Sequence, residues 1–319
     1  MRTPAASARL TRSVRWLLAA VVVGFGVWLV WRSTDDLGTA VRQLDPVAVV
    51  IAGIAAIGST MAMQRAWFAL LRGLGAAPVR RSASRVFYVS QLGKYVPGSV
   101  WPVLAQMEFG RRWGIGRTVM LAANLLFLGA ITATGIAAGA LLLPWASPDG
   151  MSGYGWLLLA LIPLALVLHP RTLPALLDRL LVRLGKEPLG IALSGQGLGR
   201  ALGWATAAWL LMGAHVAVLA SSFGRPSFDE VAAATGGMAL GWAAGIAFIP
   251  APAGAGVRDT LLALSLTPFL GTTPAVTIAL ASRVLLLLAD VVLAVVAALG
   301  RHRPGSAPDA GQRAVSNDV

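Results

Sequence analysis

The stretch Thr118-Val-Met-Leu-Ala-Ala-Asn-Leu-Leu-Phe-Leu-Gly-Ala-Ile-Thr-Ala-Thr-Gly-Ile-Ala-Ala-Gly-Ala-Leu-Leu-Leu143 runs for 26 residues without one charged side chain. Wound as an α-helix it would be about 39 Å long, more than the roughly 30 Å hydrocarbon core of a bilayer. Working outward, comparable apolar blocks run from Trp16 to Trp31, Val47 to Leu71, Tyr154 to Leu168, Ala201 to Phe223, Val231 to Ile249 and Pro274 to Leu299. Two others are interrupted: Ser84 to Phe109 is broken at Pro97-Gly98, and Ile249 to Leu270 opens with Pro250, Pro252, Gly254 and Gly256. The pattern predicts an all-α integral membrane protein.

Composition agrees. Of 319 residues 57% are apolar and 12% charged, against about 45–50% and 25% in soluble domains. The net charge of +13 falls between the apolar blocks, as topology signals do, and so does not point to nucleic acid. Cysteine is absent and the three histidines, His169, His215 and His302, form no HExxH. Disulfides, thiol chemistry and Cys-ligated metals are excluded, and no cofactor is expected.

Short cytoplasmic loops collect Lys and Arg. The N-terminus (Arg2, Arg9, Arg12, Arg15), the connection with Arg72, Arg80, Arg81 and Arg85, the one with Arg111, Arg112 and Arg117, and the amphipathic stretch from His169 to Arg200 are therefore assigned inside. Two consecutive basic loops flank the Pro97-Gly98 block, which reads as a re-entrant hairpin. The expected topology is eight crossings plus that hairpin, with both termini cytoplasmic. A second re-entrant segment at 250–270 is the alternative, giving seven crossings and an external C-terminus. Residues 1–303 form one polytopic domain: a first half at 16–169, a cytoplasmic connection at 170–200 and a second half at 201–300. The polar tail 304–319 is expected to be disordered. Each half carries an interrupted segment followed by a long helix, which suggests two structural repeats, and such paired interruptions point to a transporter's substrate site. Coincidence is the competing explanation, since Gly and Pro are common in membrane helices.

Charges inside apolar segments cost roughly 2.5–3.5 kcal/mol each at mid-depth. Lys94, Glu108, Arg258, Asp259, Arg283 and Asp290 must therefore face protein, water or the interface. Ser84, Tyr88, Gln91 and Tyr95 share a helical face with Lys94 adjoining it. That stripe is either a headgroup-binding surface or an interfacial helix with a snorkelling lysine. In the second half, the turn ending at Gly256 opens a helix whose N-terminus and Arg258 make an anion site suited to phosphate; alternatively Arg258 anchors the helix and Asp259 complements its dipole. Arg283 and Asp290, about 10 Å apart along one helix, each need another partner, and Asp259 is the expected one for Arg283. Trp101, Trp113, Trp145 and Trp156 read as an interfacial belt.

Gln91-Leu-Gly-Lys-Tyr-Val-Pro-Gly-Ser-Val-Trp-Pro102 resembles the GKYLPGxxWP block of the lysylphosphatidylglycerol synthase transmembrane family, a flippase-like domain. Pro250 through Asp259 resembles its PGGLGVRE block, with Ala253, Ala255 and Asp259 replacing the usual residues, and Arg283 with Asp290 is similar to its closing R…E/D helix. The resemblance covers the chain to about Gly300. It implies movement of lipid headgroups between leaflets, with Tyr88, Gln91, Lys94, Tyr95, Pro97, Gly98, Trp101 and Arg258 at the substrate. Glu108, Pro250, Pro252, Gly254, Gly256, Asp259, Arg283 and Asp290 are the structural or coupling set. The family's soluble synthase domain is expected to be absent here, so the chain is expected not to be an enzyme. The cargo would be an aminoacylated phospholipid or a polyprenyl-phosphate glycolipid. No GxxxxGK[ST] motif is present to use ATP. The competing readings are a non-catalytic partner of a lipid synthase or glycosyltransferase, and a lipid-modifying enzyme, for which no nucleophile or histidine set is evident.

Overall fold

The computed structural model describes residues 42–95, 101–146, 150–168, 172–183, 185–188, 193–247 and 256–299. The expected first helix Trp16–Trp31, Pro97, Gly98, Pro250, Pro252, Gly254 and the tail from Pro304 lie outside them. Among the described residues the regular structure is all helical, with no strand. In chain order the helices are α1 (Pro46–Gly73), α2 (Arg80–Gln91) running into a 3-10 turn (Leu92–Tyr95), α3 (Trp101–Arg111), α4 (Arg117–Leu142), α5 (Gly150–Tyr154), α6 (Leu161–Leu168), α7 (Thr172–Arg183), α8 (Gly195–Ala220), α9 (Phe228–Ala247), α10 (Val257–Leu270) and α11 (Thr272–Leu299).

Four of these, α1, α4 with its extension to Trp145, α8 and α11, are long and apolar enough to cross a membrane. The protein is an integral membrane protein. Helix α9 is 20 residues long but is diluted by Thr235, Gly236, Gly237 and Gly241. The block from Tyr154 to Leu168, expected to be near spanning length, departs from expectation. It is a 3-10 segment, Gly155–Ala160, followed by α6 with Pro163 inside. Even as one rod its 14 residues reach only about 21 Å.

Small residues decide how the helices pack, because lipid gives apolar side chains no preference for one another and close backbone approach must supply the attraction. Helices α1 and α8 are antiparallel partners through Ala52, Ala56 and Ala66 against Ala201, Ala205 and Ala208, all fully buried. At one end Gly197 meets Gly73 so closely that a Cβ on Gly197 would lie 2.6 Å from Gly73 Cα. Mid-way, Ser59 Oγ donates to the Ala208 carbonyl at 2.9 Å. At the other end the Asp45 N–H donates to Ser222 Oγ at 3.1 Å.

These contacts sort the connections by end. The Ser194 N–H donates to the Gly73 carbonyl at 3.0 Å, which joins the arginine-bearing connections after α1 and before α8. Asp45 and Ser222 mark the arginine-poor end, where Ala146, Ala232, Ala233 and Phe269 also cluster. Helix α10 therefore ends at the arginine-poor end. Its first turn lies against Gly241 of α9, where a Cβ would stand 2.9 Å from the Arg258 carbonyl. Gly241 is nine residues from Ala232, about 14 Å along α9, so α10 starts at mid-depth and climbs to the arginine-poor face. Gly271, at φ +80°, then reverses the chain. Helix α11 runs back through 28 residues, about 42 Å, toward the arginine-rich end. Among the described residues, this part of the chain is therefore a half-depth helix from Val257 followed by a full-length return helix.

Candidate functional site

Two interrupted segments meet at the middle of α11. From the arginine-rich side, α2 and its 3-10 turn bring Lys94 and Tyr95 to Asp290; from mid-depth, the first turn of α10 brings Arg258 and Asp259 to Arg283. Lys94 Nζ lies 2.6 Å from Asp290 Oδ2, and the Tyr95 hydroxyl donates to the same oxygen at 2.6 Å. Arg258 donates to Asp259 Oδ1 through Nε at 3.1 Å and Nη2 at 2.8 Å. Arg283 Nη1 donates to the other oxygen, Asp259 Oδ2. Asp259 Oδ2 also accepts from the Gly256 N–H at 3.3 Å, which closes the first turn. Gly256 stands at φ +85°, a conformation glycine adopts without penalty.

The expected Arg283–Asp259 pair is present, and Asp290 finds its separate partner in Lys94. Lys94 also faces the rings of Tyr95 and Trp242, at 5.3 and 5.6 Å from their centroids. These charges are deeply placed: Arg258 is 5%, Arg283 8% and Asp290 2% exposed. Three cations share two carboxylates, so the cluster carries one surplus positive charge.

Beside the cluster lies a cavity of about 720 Å³, within the size range of small-molecule sites. Gln91, Lys94, Tyr95, Arg258, Arg283 and Asp290 form its polar end. The remainder is largely apolar, including Leu104 of α3, Leu121 and Leu128 of α4 and Ile246 of α9, with Thr60, Gln106, Asn124 and Lys186 as the other polar side chains. Glycines again set the geometry, since Gly93 lies against Trp101 Cβ and Pro102, where a Cβ would have only 3.0 Å. Gln106 Nε2 donates to Ser90 Oγ at 2.7 Å. The pairs 93 with 101 and 90 with 106 show that α2 and α3 run antiparallel and together wall the cavity.

Several sequence candidates stand elsewhere. Tyr88 is buried among aromatic rings, edge-on to Phe87 at 5.8 Å, and does not line the cavity. Trp101 is half exposed at the start of α3, while its neighbour Pro102 lines the wall. Glu108 is not an embedded charge: it is exposed and bridges Arg111 at 3.5 Å and Arg117 at 3.6 Å. It lies three residues from the end of α3, in reach of those basic side chains. Trp145 and Trp156 are exposed, as belt residues would be.

The structure adds Gln106, Asn124, Lys186 and Trp242 to the cavity wall. Gln106 and Asn124 are polar residues in apolar segments and could have been singled out on that ground. Lys186, one of only two lysines, gave no signal beyond its basic connection, and Trp242 gave none.

Among curated proteins no sequence matches significantly. The family described as "Lysylphosphatidylglycerol synthase TM region" matches residues 16–294. That span takes in both interrupted segments, the cavity wall and all five charges of the cluster, and the chain belongs to the lysylphosphatidylglycerol synthase transmembrane family.

Proposed function

We propose that this protein is a lipid transporter of the flippase type, without enzymatic activity of its own, that moves a phosphate-bearing headgroup across the cytoplasmic membrane. The carrying observation is the amphiphilic cavity, whose polar end is a surplus-positive ion cluster at the middle of a membrane helix. A phosphate monoanion supplies the charge the cluster lacks, and the apolar walls suit acyl or prenyl chain. Placing anion-binding groups at mid-depth between interrupted helices is the arrangement transporters use, because irregular backbone is tolerated there only where it lines a cavity. The arginine-rich end is taken as cytoplasmic, with both termini there. The ion pairs between α2 and α11 and between α10 and α11 are the contacts that would re-form as the cavity changes the face to which it opens.

The test is movement of short-chain fluorescent phospholipids in proteoliposomes. Wild type is expected to move anionic lipid. Leu128→Trp, which fills the cavity from its apolar wall without touching the ion cluster, is expected to stop it, as is Arg258→Gln. No movement by folded wild-type protein across anionic, aminoacylated and polyprenyl-phosphate lipids would overturn the reading. Stable copurification with a lipid synthase or glycosyltransferase would then favour a partner role.

A further inference from the structure

Among the described residues, Lys94 is the cation of the cluster that aromatic rings accompany. Arg258 and Arg283 are held by Asp259 through guanidinium hydrogen bonds, which fix direction as well as distance. The Lys94 ammonium has one carboxylate oxygen, Asp290 Oδ2 at 2.6 Å, and shares it with the Tyr95 hydroxyl. Its other near neighbours are the rings of Tyr95 and Trp242, whose centroids lie 5.3 and 5.6 Å from Nζ. A ring face attracts a cation through its quadrupole within about 6 Å, tryptophan most strongly, and it imposes no hydrogen-bond direction.

The two rings are anchored differently. Tyr95 follows Lys94 on the same 3-10 turn and travels with it. Trp242 belongs to α9 and is fixed from behind: it stands edge-on to Trp209, with centroids 6.0 Å apart, and the Trp209 indole N–H donates to Thr134 Oγ1 at 3.0 Å. Trp209 is itself buried. Helices α4, α8 and α9 therefore hold the Trp242 ring in the cavity wall, independently of α2 and α11, whose ion pair it borders.

An ammonium that exchanged its carboxylate for a phosphate with nothing else beside it would pass through an unpaired state inside the membrane, which is costly. A fixed ring face removes that state. Resting on the lipid-transport reading, we propose that Trp242 is a positioning residue for Lys94: its ring keeps the ammonium at the cavity wall while the Lys94–Asp290 pair opens to a phosphate. Lys94 pivots against a surface that does not move with it, and its charge stays in the cavity in both arrangements. Cation–π contacts change an equilibrium by a factor of roughly 2 when exposed to roughly 30 when desolvated. The Lys94 side chain is 21% exposed, so an effect of about tenfold is expected.

The experiment replaces Trp242 with mono-, di- and trifluorotryptophan by stop-codon suppression. Each fluorine withdraws electron density from the ring face and leaves the shape nearly unchanged, so a ring that only fills space does not respond. The readout is the Kd of fluorescent short-chain phosphatidylglycerol, and of a fluorescent polyprenyl phosphate, on the purified protein in a maltoside detergent, where neither lipid nor detergent carries a cation. The Kd of whichever lipid binds is expected to rise stepwise along the series, about tenfold in total. In the Lys94→Met background the same series is expected to be flat. A flat series with Lys94 present, or an equal slope in Lys94→Met, overturns this proposal and leaves the transport reading standing. If neither lipid binds the unsubstituted protein, the transport reading itself fails and takes the proposal with it. Where Lys94→Met does not bind lipid, the slope with Lys94 present decides the matter.

Discussion

Removal of the Asp259 carboxylate isolates the largest single electrostatic contribution in the site. Asp259→Asn leaves Arg258 and Arg283, both buried, without their shared counter-ion. At the observed 2.8 Å from Arg258 Nη2 to Asp259 Oδ1, Coulomb attraction at an effective dielectric near 20 is about 6 kcal/mol. Part of that offsets desolvation, and breaking one side of such a buried pair typically costs about 3–5 kcal/mol. Asp259→Asn is expected to destabilise by that amount. The double variant Asp259→Asn/Arg283→Gln restores the original surplus of one positive charge and is expected to recover about 2 kcal/mol relative to the sum of the single changes. The assay is a double-mutant cycle on thermal or denaturant unfolding of protein in nanodiscs, read by tryptophan fluorescence. Additive single changes would refute the view that one carboxylate holds both arginines.

Three further outcomes follow from the packing. His215 Nδ1 lies 2.8 Å from the Ala52 carbonyl, which only an N–H can satisfy, so Nε2 accepts from Ser282 Oγ at 2.9 Å; His215→Ala breaks this link among α1, α8 and α11. It is expected to cost about 2–4 kcal/mol in the same unfolding assay while the order of lipid preference stays as in wild type. Gly197→Val is expected to abolish monodisperse protein in size-exclusion chromatography, because a Cβ there meets the Gly73 backbone, whereas Gly199→Ala, with nothing within 4 Å, is expected to be silent. Glu108→Gln removes only exposed ion pairs and is expected to leave the unfolding midpoint unchanged within error.

The membrane class and the charges that matter were legible in the linear chain, because an uncharged run of spanning length and an ionisable residue within one are each unusual enough to stand alone. Even the pairing of Arg283 with Asp259 could be expected, since seven residues of helix separate Arg283 from Asp290 by too great a distance for a direct bond. For Glu108 the sequence left protein, water and the interface open, and three residues from the end of α3 its side chain reaches the surface and its arginines.

What the sequence by itself determined is local: which segments are apolar enough to span, where Pro and Gly interrupt them, and which buried charges demand partners. Depth and neighbourhood were decided only in three dimensions. That α10 starts at mid-depth depends on Gly241 admitting its first turn against α9. That Gln106 lines the cavity depends on the antiparallel packing of α2 on α3, and Asn124 and Trp242 join it only because α4 and α9 close the other walls. In a bilayer, apolar patterning does not tell one helix face from another, because lipid and protein are equally apolar surroundings. The choice of neighbour falls to glycine contacts and ion pairs between segments far apart in the chain, and those exist only once the helices have met.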